Sequence, residues 1–482
     1  MDRLTESELE FNDFEQWCYE MGLAYARMLM VTILTSLDDE LLKTRDKSIY
    51  RNKGFRNLTL KTLMGEVDIL RRLYRYETPE GAVCHIHLLD QEIGLDTVGK
   101  ITMGLIRRMA EVVTEASYRA TASAISLIAG QQVSHGGVWN AVQKAGVKIR
   151  EIDIRNAKAV KAFVNTGKKA VKVLQEEFDG VWINMQGKDR PAKGHKSEMK
   201  VASSYEGVIF TGNDKEGKPT YDLVNPMYLS GFESASDFFD LKEGLLGTVY
   251  DLDEVETRLV NGDGSGWVQG FSERGDGEAR LQLDQFHIKR EIKRSGLDEK
   301  KKGFIEKAIK AGKIDVMLRY IRLLWHKEPD EKKKRCIGEM LRYFSANAEY
   351  MIPIKDRELS LPNPEEGIIY GSMGTAEGTV CSVIALRMKK RRASFTKEGA
   401  NNLSRFLCSK RSGALDETLS SLSSMSLPMP FEQVVTDVLS AAQAPKFSGK
   451  GFYYPVNGGM PFADAYTTSG RKAVQVAAGY HR

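Results

Sequence analysis

The spacing of hydrophobic residues changes several times along this chain of 482 residues. Residues 1–45 carry broad apolar faces and one glycine, Gly22, which predicts helix. Apolar and polar side chains then alternate from Tyr50 to Tyr76 on both sides of Gly65, the pattern of a two-stranded ribbon. Three further helices are expected at roughly 97–115, 117–129 and 134–146, with a serine placed to cap the second and the third.

The pattern of the second half predicts an α/β fold. Residues 148–172 are polar and rich in lysine, as in a linker or a helical strut. Beyond them we expect strands at 173–186, 200–210 and 221–229, a helix at 234–247, and two strands that end near residues 262 and 283. This order, β-β-β-α-β-(α)-β, is that of a ribonuclease H-like mixed sheet. Residues 288–350 are strongly helical and precede the return of the α/β pattern at Gly367, so they predict a helical insertion.

Composition restricts the class of protein. Hydrophobic residues make up 42% and charged residues 28% of the chain, and no apolar run approaches the ~20 residues of a membrane span, so a soluble protein of several domains is expected. The first residues lack the basic and apolar segments of a secretory signal. Five scattered cysteines support neither a disulfide framework nor a zinc ribbon. A reduced, cytoplasmic protein is therefore expected.

Basic residues are clustered, although the net charge is only +5. Runs of cations stand at 332–335 and 389–392, the second being Lys389, Lys390, Arg391 and Arg392. One face of the ribbon is also expected to be basic, through Arg51, Lys53, Arg56, Lys61, Arg71, Arg72 and Arg75. Of these, Arg51, Lys53, Arg56, Arg71 and Arg72 are the expected DNA contacts. Each run taken alone is as well explained by a solvated helix surface, and the ribbon by a structural hairpin. Their number favours contact with the phosphate backbone of DNA.

A short connection containing glycine, residues 129–133, separates two of the expected helices, as in a helix-turn-helix motif. The helix after it is expected to pack through Val138, Trp139 and Val142. Its exposed residues, available to DNA, would be Ser134, His135, Asn140 and Lys144. Three-helix arrays without DNA contacts share this pattern, and the acidic residues described next favour the DNA-binding interpretation.

Three carboxylates are expected to meet at one edge of the sheet. Asp179 lies on the first strand, Asp263 follows a buried strand within a glycine-rich loop, and Glu377 begins a helix whose apolar stripe would pack on the sheet, so that Glu377 faces inward. Clustered carboxylates repel one another unless cations neutralise them. Hard oxygen ligands select Mg²⁺ or Mn²⁺, and two such ions can activate a water or a 3′-hydroxyl for phosphodiester chemistry. A single acidic residue is more often a turn former or a solvated charge.

Asp284 and His287 form an Asp-x-x-His element directly after the last strand. A zinc site would need more ligands at suitable spacing, and the sequence offers none nearby. We expect the pair to brace the acidic site, with direct positioning of substrate phosphate by His287 as the alternative. Trp267, close to Asp263, is expected in the core or stacked on a base.

At these residues the chain resembles the bacterial insertion-sequence transposases of the ISLre type, a branch of the DDE class similar to the Mutator-like enzymes. The resemblance rests on Asp-Gly-Val-Trp at 179–182, Gly-Asp-Gly-x-x-Trp at 262–267, Leu-Asp-x-Phe-His at 283–287 and Ala-Glu-Gly-x-Val at 376–380. It implies that Asp179, Asp263 and Glu377 are the catalytic triad and ligate two Mg²⁺ or Mn²⁺ ions. It also implies that Asp284 and His287 are the family's Cys/Asp-x-x-His element. The chain departs from the family at Thr379, where histidine is expected, and at Phe395, where tryptophan is usual.

The resemblance implies a DNA transposase that binds the terminal inverted repeats of an insertion sequence and cleaves and transfers DNA 3′ ends. Such an enzyme would act as a homodimer or higher oligomer on double-stranded DNA, near the nucleoid in the bacterial cytoplasm. Two alternatives are a domesticated DNA-binding protein without catalysis and a structure-specific nuclease. The expected organisation is N-terminal helices with the basic ribbon (1–95), a helix-turn-helix-like region (96–150), the first part of the catalytic core (170–290), a helical insertion (291–366), the second part of the core (367–410) and a C-terminal region of unknown role (411–482).

Overall fold

The computed structural model describes residues 11–164, 167–272, 278–390 and 393–422, and its structure is mixed α/β. The described residues form two compact units. The first holds residues up to 113 and residues 118–141, and the second holds residues 114–117 and those from 142 to 422. No helix in the described ranges has the combined length and apolar character that crossing a bilayer requires.

A long hairpin is the main β-structure of the first unit. Its elements are α1 (Phe11–Thr44), β1 (Arg51–Thr62), β2 (Gly65–Glu77), β3 (Val83–Ile86), α2 (Leu88–Glu92), β4 (Thr97–Val98) and β5 (Ile101–Thr102). β1 and β2 pair antiparallel around Gly65, so the predicted ribbon is present. It lies within a five-stranded sheet of order β3-β2-β1-β5-β4. Leu34 and Leu37 of α1 pack against Leu60 of β1 and Ile69 of β2, which anchors the lower part of the hairpin in a hydrophobic core.

Three helices follow, α3 (Met103–Glu115), α4 (Tyr118–Ile128) and α5 (His135–Lys161). The hydroxyl of Ser134 accepts a hydrogen bond from the Gly137 N–H at 3.0 Å and so caps α5 as predicted. The connection between α4 and α5 is held to the hairpin, because Gln131 Nε2 donates to the Thr62 carbonyl at 2.5 Å. α5 has 27 residues rather than the expected 13, so much of the predicted polar linker is helix.

The second unit begins with β6 (Lys169–Ala170), β7 (Val173–Asn184), β8 (Lys196–Tyr205), β9 (Val208–Asn213), β10 (Pro219–Leu223), β11 (Met227–Gly231), α6 (Ala235–Leu246), β12 (Tyr250–Asp251), β13 (Thr257–Gly262), α7 (Gly266–Ser272) and β14 (Glu278–Leu283). Its main sheet has the order β11-β8-β7-β13-β14. β7 pairs antiparallel with β8, which pairs antiparallel with β11. β13 is parallel to both β7 and β14, so the sheet is mixed.

Two segments that were each predicted as a single strand contain parts of two strands in the structure. The run 200–210 contains the end of β8, a bend at Glu206 and Gly207, and the start of β9. The run 221–229 contains the end of β10 and the start of β11. These are separated by Asn225, whose φ of 48° is left-handed, and Pro226, which has no N–H to donate. β9 and β10 therefore leave the main sheet and form a smaller one with β15 (Ile368–Ile369).

One face of the main sheet carries a buried ionic network. Arg258 of β13 and Lys242 of α6 donate to Glu176 of β7 at 2.9 and 2.6 Å, and the Arg258 guanidinium also binds Glu243. Arg258 and Glu176 are 0% exposed. Around this network Phe178, Phe238, Phe239 and Val260 form a hydrophobic cluster that fixes α6 on the sheet.

The predicted helical insertion is present as α8 (Gln285–Arg294), α9 (Glu299–Lys310), α10 (Ile314–Lys327) and α11 (Glu331–Ala346). Aspartates cap α8, α9 and α11, and the helices share a core that includes Ile305, Ile321 and Phe344. The chain then continues through β15 to α12 (Ala376–Thr379), a π-helical segment (Val380–Ala385), α13 (Leu386–Met388), α14 (Lys397–Arg411) and α15 (Leu415–Ser421). Of the predicted C-terminal region, residues 423–482 lie outside the described residues.

Candidate functional site

Asp179 and Asp263 are brought together by the register of two parallel strands. The last recorded pair between β13 and β7 is Asn261 with Glu177. Asp263 lies two residues beyond Asn261, and Asp179 lies two residues beyond Glu177. Because parallel neighbours are about 4.8 Å apart and advance at the same rate, the two aspartates reach the same level of the sheet. This is the edge at which the sequence predicted the acidic site.

Asp179 is a buried carboxylate, 6% exposed, in the central strand β7. Its Oδ1 accepts a hydrogen bond from the Gly180 N–H at 2.7 Å. Burial is the main cause that raises the pKa of Asp179 from 3.8 to about 6. The charges of Asp263 and Glu377 raise this pKa further, whereas the Gly180 N–H and His287 oppose the rise. Asp263 and Glu377 therefore lie close enough to Asp179 for their charges to affect its pKa.

A tight turn directly after β13 presents Asp263. Its Oδ1 accepts from the Ser265 N–H at 2.9 Å, and Tyr343 of α11 donates its hydroxyl to the Asp263 carbonyl at 2.7 Å. Gly264 has a φ of +76°, and a Cβ there would approach Asn347 Oδ1 to 2.4 Å, so the turn requires glycine. The end of α11, in the helical insertion, thus braces the loop that carries Asp263.

Glu377 is the second residue of α12. Its side chain is exposed, which differs from the prediction that it faces inward. The apolar stripe behind it is buried at Val380, Ile384 and Met388, so the helix packs on the unit as expected. The helix is π-helical over Val380–Ala385, however, a distortion that often accompanies functional sites and that sequence spacing does not reveal.

Glu177 is a buried acidic residue that the sequence analysis missed. Its carboxylate accepts hydrogen bonds from the Tyr205 hydroxyl at 2.6 Å and from Asn261 Nδ2 at 2.8 Å. It also accepts from the segment just before Glu377, including the Thr375 hydroxyl at 2.7 Å. The available signal was the polar run Gln-Glu-Glu at 175–177, enclosed by apolar residues in a central strand. Such a run at the centre of a sheet indicates polar partners on both faces.

Glu198 of β8 is another carboxyl group near the site. A Cβ at Gly180 would lie 2.1 Å from Glu198 Oε1, so the Glu198 carboxyl group occupies the space that the missing side chain of Gly180 leaves. Burial raises the pKa of Glu198, and the charge of Asp263 raises it further against the opposing effect of Lys200. The sequence analysis did not identify Glu198.

Asp284 and His287 lie beside Asp179 at the start of α8. Asp284 Oδ1 accepts from the Phe286 N–H at 2.9 Å and caps the helix. His287 is 3% exposed, and its Nε2 lies 3.9 Å from Asp179 Oδ1 while its Nδ1 lies 3.7 Å from Asp284 Oδ2. Burial of the imidazole opposes its charged form, but the Asp284 and Asp179 carboxylates outweigh burial and raise the pKa of His287. The pair thus touches the acidic site.

Trp267 packs in an aromatic cluster. Its ring lies 5.9 Å from that of Phe178 and 6.1 Å from that of Phe238, with nearly perpendicular planes in both pairs. Lys200 Nζ lies 5.9 Å from the same ring. These contacts correspond to the core role, which was one of the two expected for Trp267.

The acidic residues do not form a ready group of metal ligands. In the part of the chain that the structure describes, no three His, Cys, Asp or Glu side chains are close enough together to hold one metal ion. The carboxylates of Asp179, Asp263 and Glu377 nevertheless supply oxygen donors only, the ligands that Mg²⁺ and Mn²⁺ prefer. The buried Asp179 also carries a charge that a bound cation would stabilise.

The basic residues of the ribbon fall into two groups. Arg51, Lys53 and Arg56 are exposed on β1, and we refer to them as the exposed ribbon cations. Arg71 and Arg72 form ion pairs with aspartates of neighbouring elements. Arg71 binds Asp90 at 2.6 Å, whereas the 9%-exposed Arg72 binds Asp38 at 2.8 Å and Asp39 at 2.7 Å.

The prediction that the basic residues of the ribbon share one face is therefore corrected. Neighbouring residues of a strand point to opposite faces, so Arg71 and Arg72 cannot lie on the same one. The guanidinium group of Arg72 also stacks on the Phe55 ring, with its central carbon 4.6 Å from the ring centroid. Both arginines brace the hairpin against neighbouring elements.

Most of the other predicted DNA-binding residues are exposed. They are Ser134, His135, Asn140 and Lys144 on or just before α5, and Lys389 and Lys390 after α13. Val138 and Val142 are buried as expected, but Trp139 is 46% exposed and does not supply the expected packing. Arg391 and Arg392 lie outside the described residues.

Comparison with known proteins gives a family for most of the chain. Residues 4–419 match the model of UPF0236, described as an uncharacterised protein family. A relative from Streptococcus gallolyticus, the UPF0236 protein in vanSb 3′region, is 24% identical over 361 residues. That alignment covers 73% of this chain and 72% of the relative. Because the family match extends over the described parts of both units and the acidic site, the chain belongs to the UPF0236 family.

Proposed function

We propose that this chain is a DNA transposase of the DDE class whose second unit is a ribonuclease H-like catalytic domain. The observation that carries the proposal is that Asp179, Asp263 and Glu377 interact electrostatically. They come from β7, from the turn after β13 and from the start of α12, and the charges of the last two add to the effect of burial in raising the pKa of Asp179. Strongly perturbed carboxyl groups of this kind are concentrated at functional sites.

The topology of the main sheet supports the ribonuclease H-like assignment. Three antiparallel strands, β7, β8 and β11, are followed by α6 and then by the parallel strands β13 and β14. This is the β-β-β-α-β-(α)-β order expected from the sequence. The helical insertion follows β14, and the helix carrying Glu377 returns to the sheet after it.

Two Mg²⁺ or Mn²⁺ ions would be held by the carboxylates of Asp179, Asp263 and Glu377. When bound, such ions activate a water or a 3′-hydroxyl and stabilise the leaving oxygen of a phosphodiester. The exposed side chain of Glu377 has room to turn toward the two aspartates, and the proposal includes this movement. Cation binding would remove the repulsion that now favours the protonated form of Asp179.

The surrounding residues hold the carboxylates in place. His287 contacts Asp179 from α8, Asp284 fixes the start of that helix, and Tyr343 holds the backbone at Asp263. Rigid support of this kind keeps reactive groups within the narrow geometry that catalysis needs.

In this proposal double-stranded DNA is the partner. The exposed ribbon cations and the exposed residues at the start of α5 would bind the ends of the transposable element. Lys389 and Lys390 would contact the phosphate backbone of the same DNA. Cleavage and joining of paired ends would require a homodimer or higher oligomer on DNA in the bacterial cytoplasm.

The proposal is tested with a plasmid that carries the coding region and its own flanking DNA. Wild-type protein should excise the segment and join ends, and PCR across the new junctions would detect this. The purified protein should also nick that plasmid in Mg²⁺ or Mn²⁺ and not in EDTA. Asp263→Asn should abolish both activities while leaving gel-shift affinity and the melting temperature nearly unchanged.

The same assays separate the alternatives. Shifted DNA with neither nicks nor junctions would support a DNA-binding protein without catalysis. Nicking without the joining of a pre-cut 3′ end would support a structure-specific nuclease. Cation-dependent cleavage that survives Asp263→Asn would refute the assignment of the acidic site.

A further inference from the structure

One face of β7 holds the chain segment that leads into α12. Gln175, Glu177 and Asp179 alternate along the strand and therefore project from the same face. Gln175 Oε1 accepts from the Gly371 N–H at 2.6 Å. Glu177 accepts hydrogen bonds from the backbone of residues 374–376. The charge of Glu377 contributes, after burial, to the raised pKa of Asp179. The segment thus runs along this face of the strand, and the backbone just before Glu377 is held at Glu177, two residues before Asp179.

Of the β7 side chains that hold this segment, Glu177 accepts the most hydrogen bonds from it. Its Oε2 accepts from the N–H groups of Gly374, Thr375 and Ala376 at 3.0, 2.9 and 3.1 Å. Its Oε1 accepts from the Thr375 hydroxyl and from the Tyr205 hydroxyl. Asn261 Nδ2, from the neighbouring parallel strand, donates to Oε2 at 2.8 Å. All of these groups are donors, and Glu177 is 1% exposed.

We propose that Glu177 is the positioning residue that holds the start of α12 and so sets the backbone position of Glu377 relative to Asp179, an inference that rests on the proposed function. Glu177 does not touch the substrate or the ions in this account. Its carboxylate joins three groups that are distant in sequence: the β7 strand, Asn261 two residues before Asp263, and the backbone immediately before Glu377. One buried side chain thereby couples the positions of all three acidic residues.

The chemistry of the contacts requires a carboxylate. An ionised carboxylate only accepts hydrogen bonds, and its two oxygens can receive about four or more donors. Glutamine has nearly the same shape, but its amide NH₂ would replace one carboxylate oxygen and would face N–H and O–H groups that also donate. Those buried donors would then have no acceptor, and the segment would be displaced toward solvent, where water can accept from them.

Glu177→Gln is therefore the test variant, and Glu176→Gln is its matched control. Glu176 is the adjacent residue, has the same chemistry and is also fully buried, but it faces the ionic network of Lys242 and Arg258 instead. Both variants should lose stability. Only Glu177→Gln should release the segment that leads to Glu377, so the comparison separates positioning from a general loss of packing.

Two readouts are used on the full chain. Amide-resolved hydrogen exchange should become about tenfold faster or more at residues 374–376 in Glu177→Gln and stay unchanged there in Glu176→Gln. Cleavage of the plasmid with its native flanking DNA, normalised to folded protein, should lose about 100-fold in kcat in Glu177→Gln, with KM for DNA unchanged. Glu176→Gln should retain the wild-type kcat.

The outcomes that overturn the inference are distinct. Unchanged exchange at residues 374–376, or wild-type kcat in Glu177→Gln, would overturn the positioning role alone. An equal loss of kcat in both variants would show that the effect is general and would also overturn it. Absence of cleavage by the wild-type chain would overturn the proposed function and this role together.

Discussion

Replacing Asp179 with asparagine should make the protein more stable at neutral and alkaline pH. The wild-type carboxylate is buried beside the charges of Asp263 and Glu377, and its pKa is raised to about 6. A raised pKa means that the folded protein binds the proton more tightly than the unfolded chain does. The stability that this proton confers is complete below about pH 4 and is lost as the pH rises to about 6. Asparagine keeps the shape of the side chain and carries no charge.

The size of the effect follows from the pKa. A rise of roughly two units corresponds to about 3 kcal/mol of lost stability above pH 6. The pKa of about 6 already includes the opposing attraction of His287, and asparagine also loses part of the hydrogen bonding of the carboxylate. We therefore expect Asp179→Asn to gain about 1–3 kcal/mol at pH 8 and about a third of that at pH 4.5. For a unit of this size, each kcal/mol raises the melting temperature by about 2–4 °C.

Thermal and urea unfolding at pH 4.5 and pH 8, both in EDTA, measure this difference. Added Mg²⁺ or Mn²⁺ should then stabilise the wild type at pH 8 and leave Asp179→Asn unaffected. A variant that is destabilised at pH 8, or one that gains equally at both pH values, would refute the account of Asp179 as a buried and repelled carboxylate.

Three further predictions concern the ionic network around Arg258, the hydrogen bond from Tyr343 to the Asp263 backbone, and the exposed ribbon cations. Arg258→Met should cost about 3 kcal/mol in urea unfolding, because it leaves the buried Glu176 and the partly buried Glu243 with one lysine. A cost below about 1 kcal/mol would contradict the network. Tyr343→Phe should cost about 1 kcal/mol and slow plasmid cleavage without changing DNA affinity, since it frees the Asp263 backbone; equal cleavage rates would argue against the brace. Serine at all three exposed ribbon cations should lower the salt dependence of DNA binding by about 3 in log–log slope at an unchanged melting temperature, whereas an unaltered slope would remove the ribbon from the interface.

The main elements of the acidic site follow from local sequence. A short apolar strand that runs into a glycine-rich loop predicts the position of Asp263, because the strand must be buried and the turn needs a left-handed residue at Gly264. The apolar stripe that follows Glu377 likewise predicts a helix. These patterns depend on neighbours within a few residues. The ribbon around Gly65 was predictable for the same reason.

The buried charges were not predictable in this way. Charged residues are normally assigned to the surface, yet Glu177 and Arg258 lie in the centre of a sheet, and Arg72 is buried in the hairpin. Their partners are remote in sequence: the Thr375 hydroxyl that binds Glu177 is 198 residues away. The division of two predicted strands into four depends on where the chain leaves the main sheet, which alternation of apolar and polar residues does not encode.

The exposed position of Glu377 is a further departure, because the helix packs as predicted while the carboxyl group points outward. The central claim is that this group and the two aspartates hold divalent ions together. An anomalous difference map from crystals of the wild-type protein containing Mn²⁺ tests the claim most directly. The account predicts peaks ligated by carboxylate oxygens of Asp179, Asp263 and Glu377. Mn²⁺ bound at other residues, with Glu377 still turned away from the two aspartates, would contradict it.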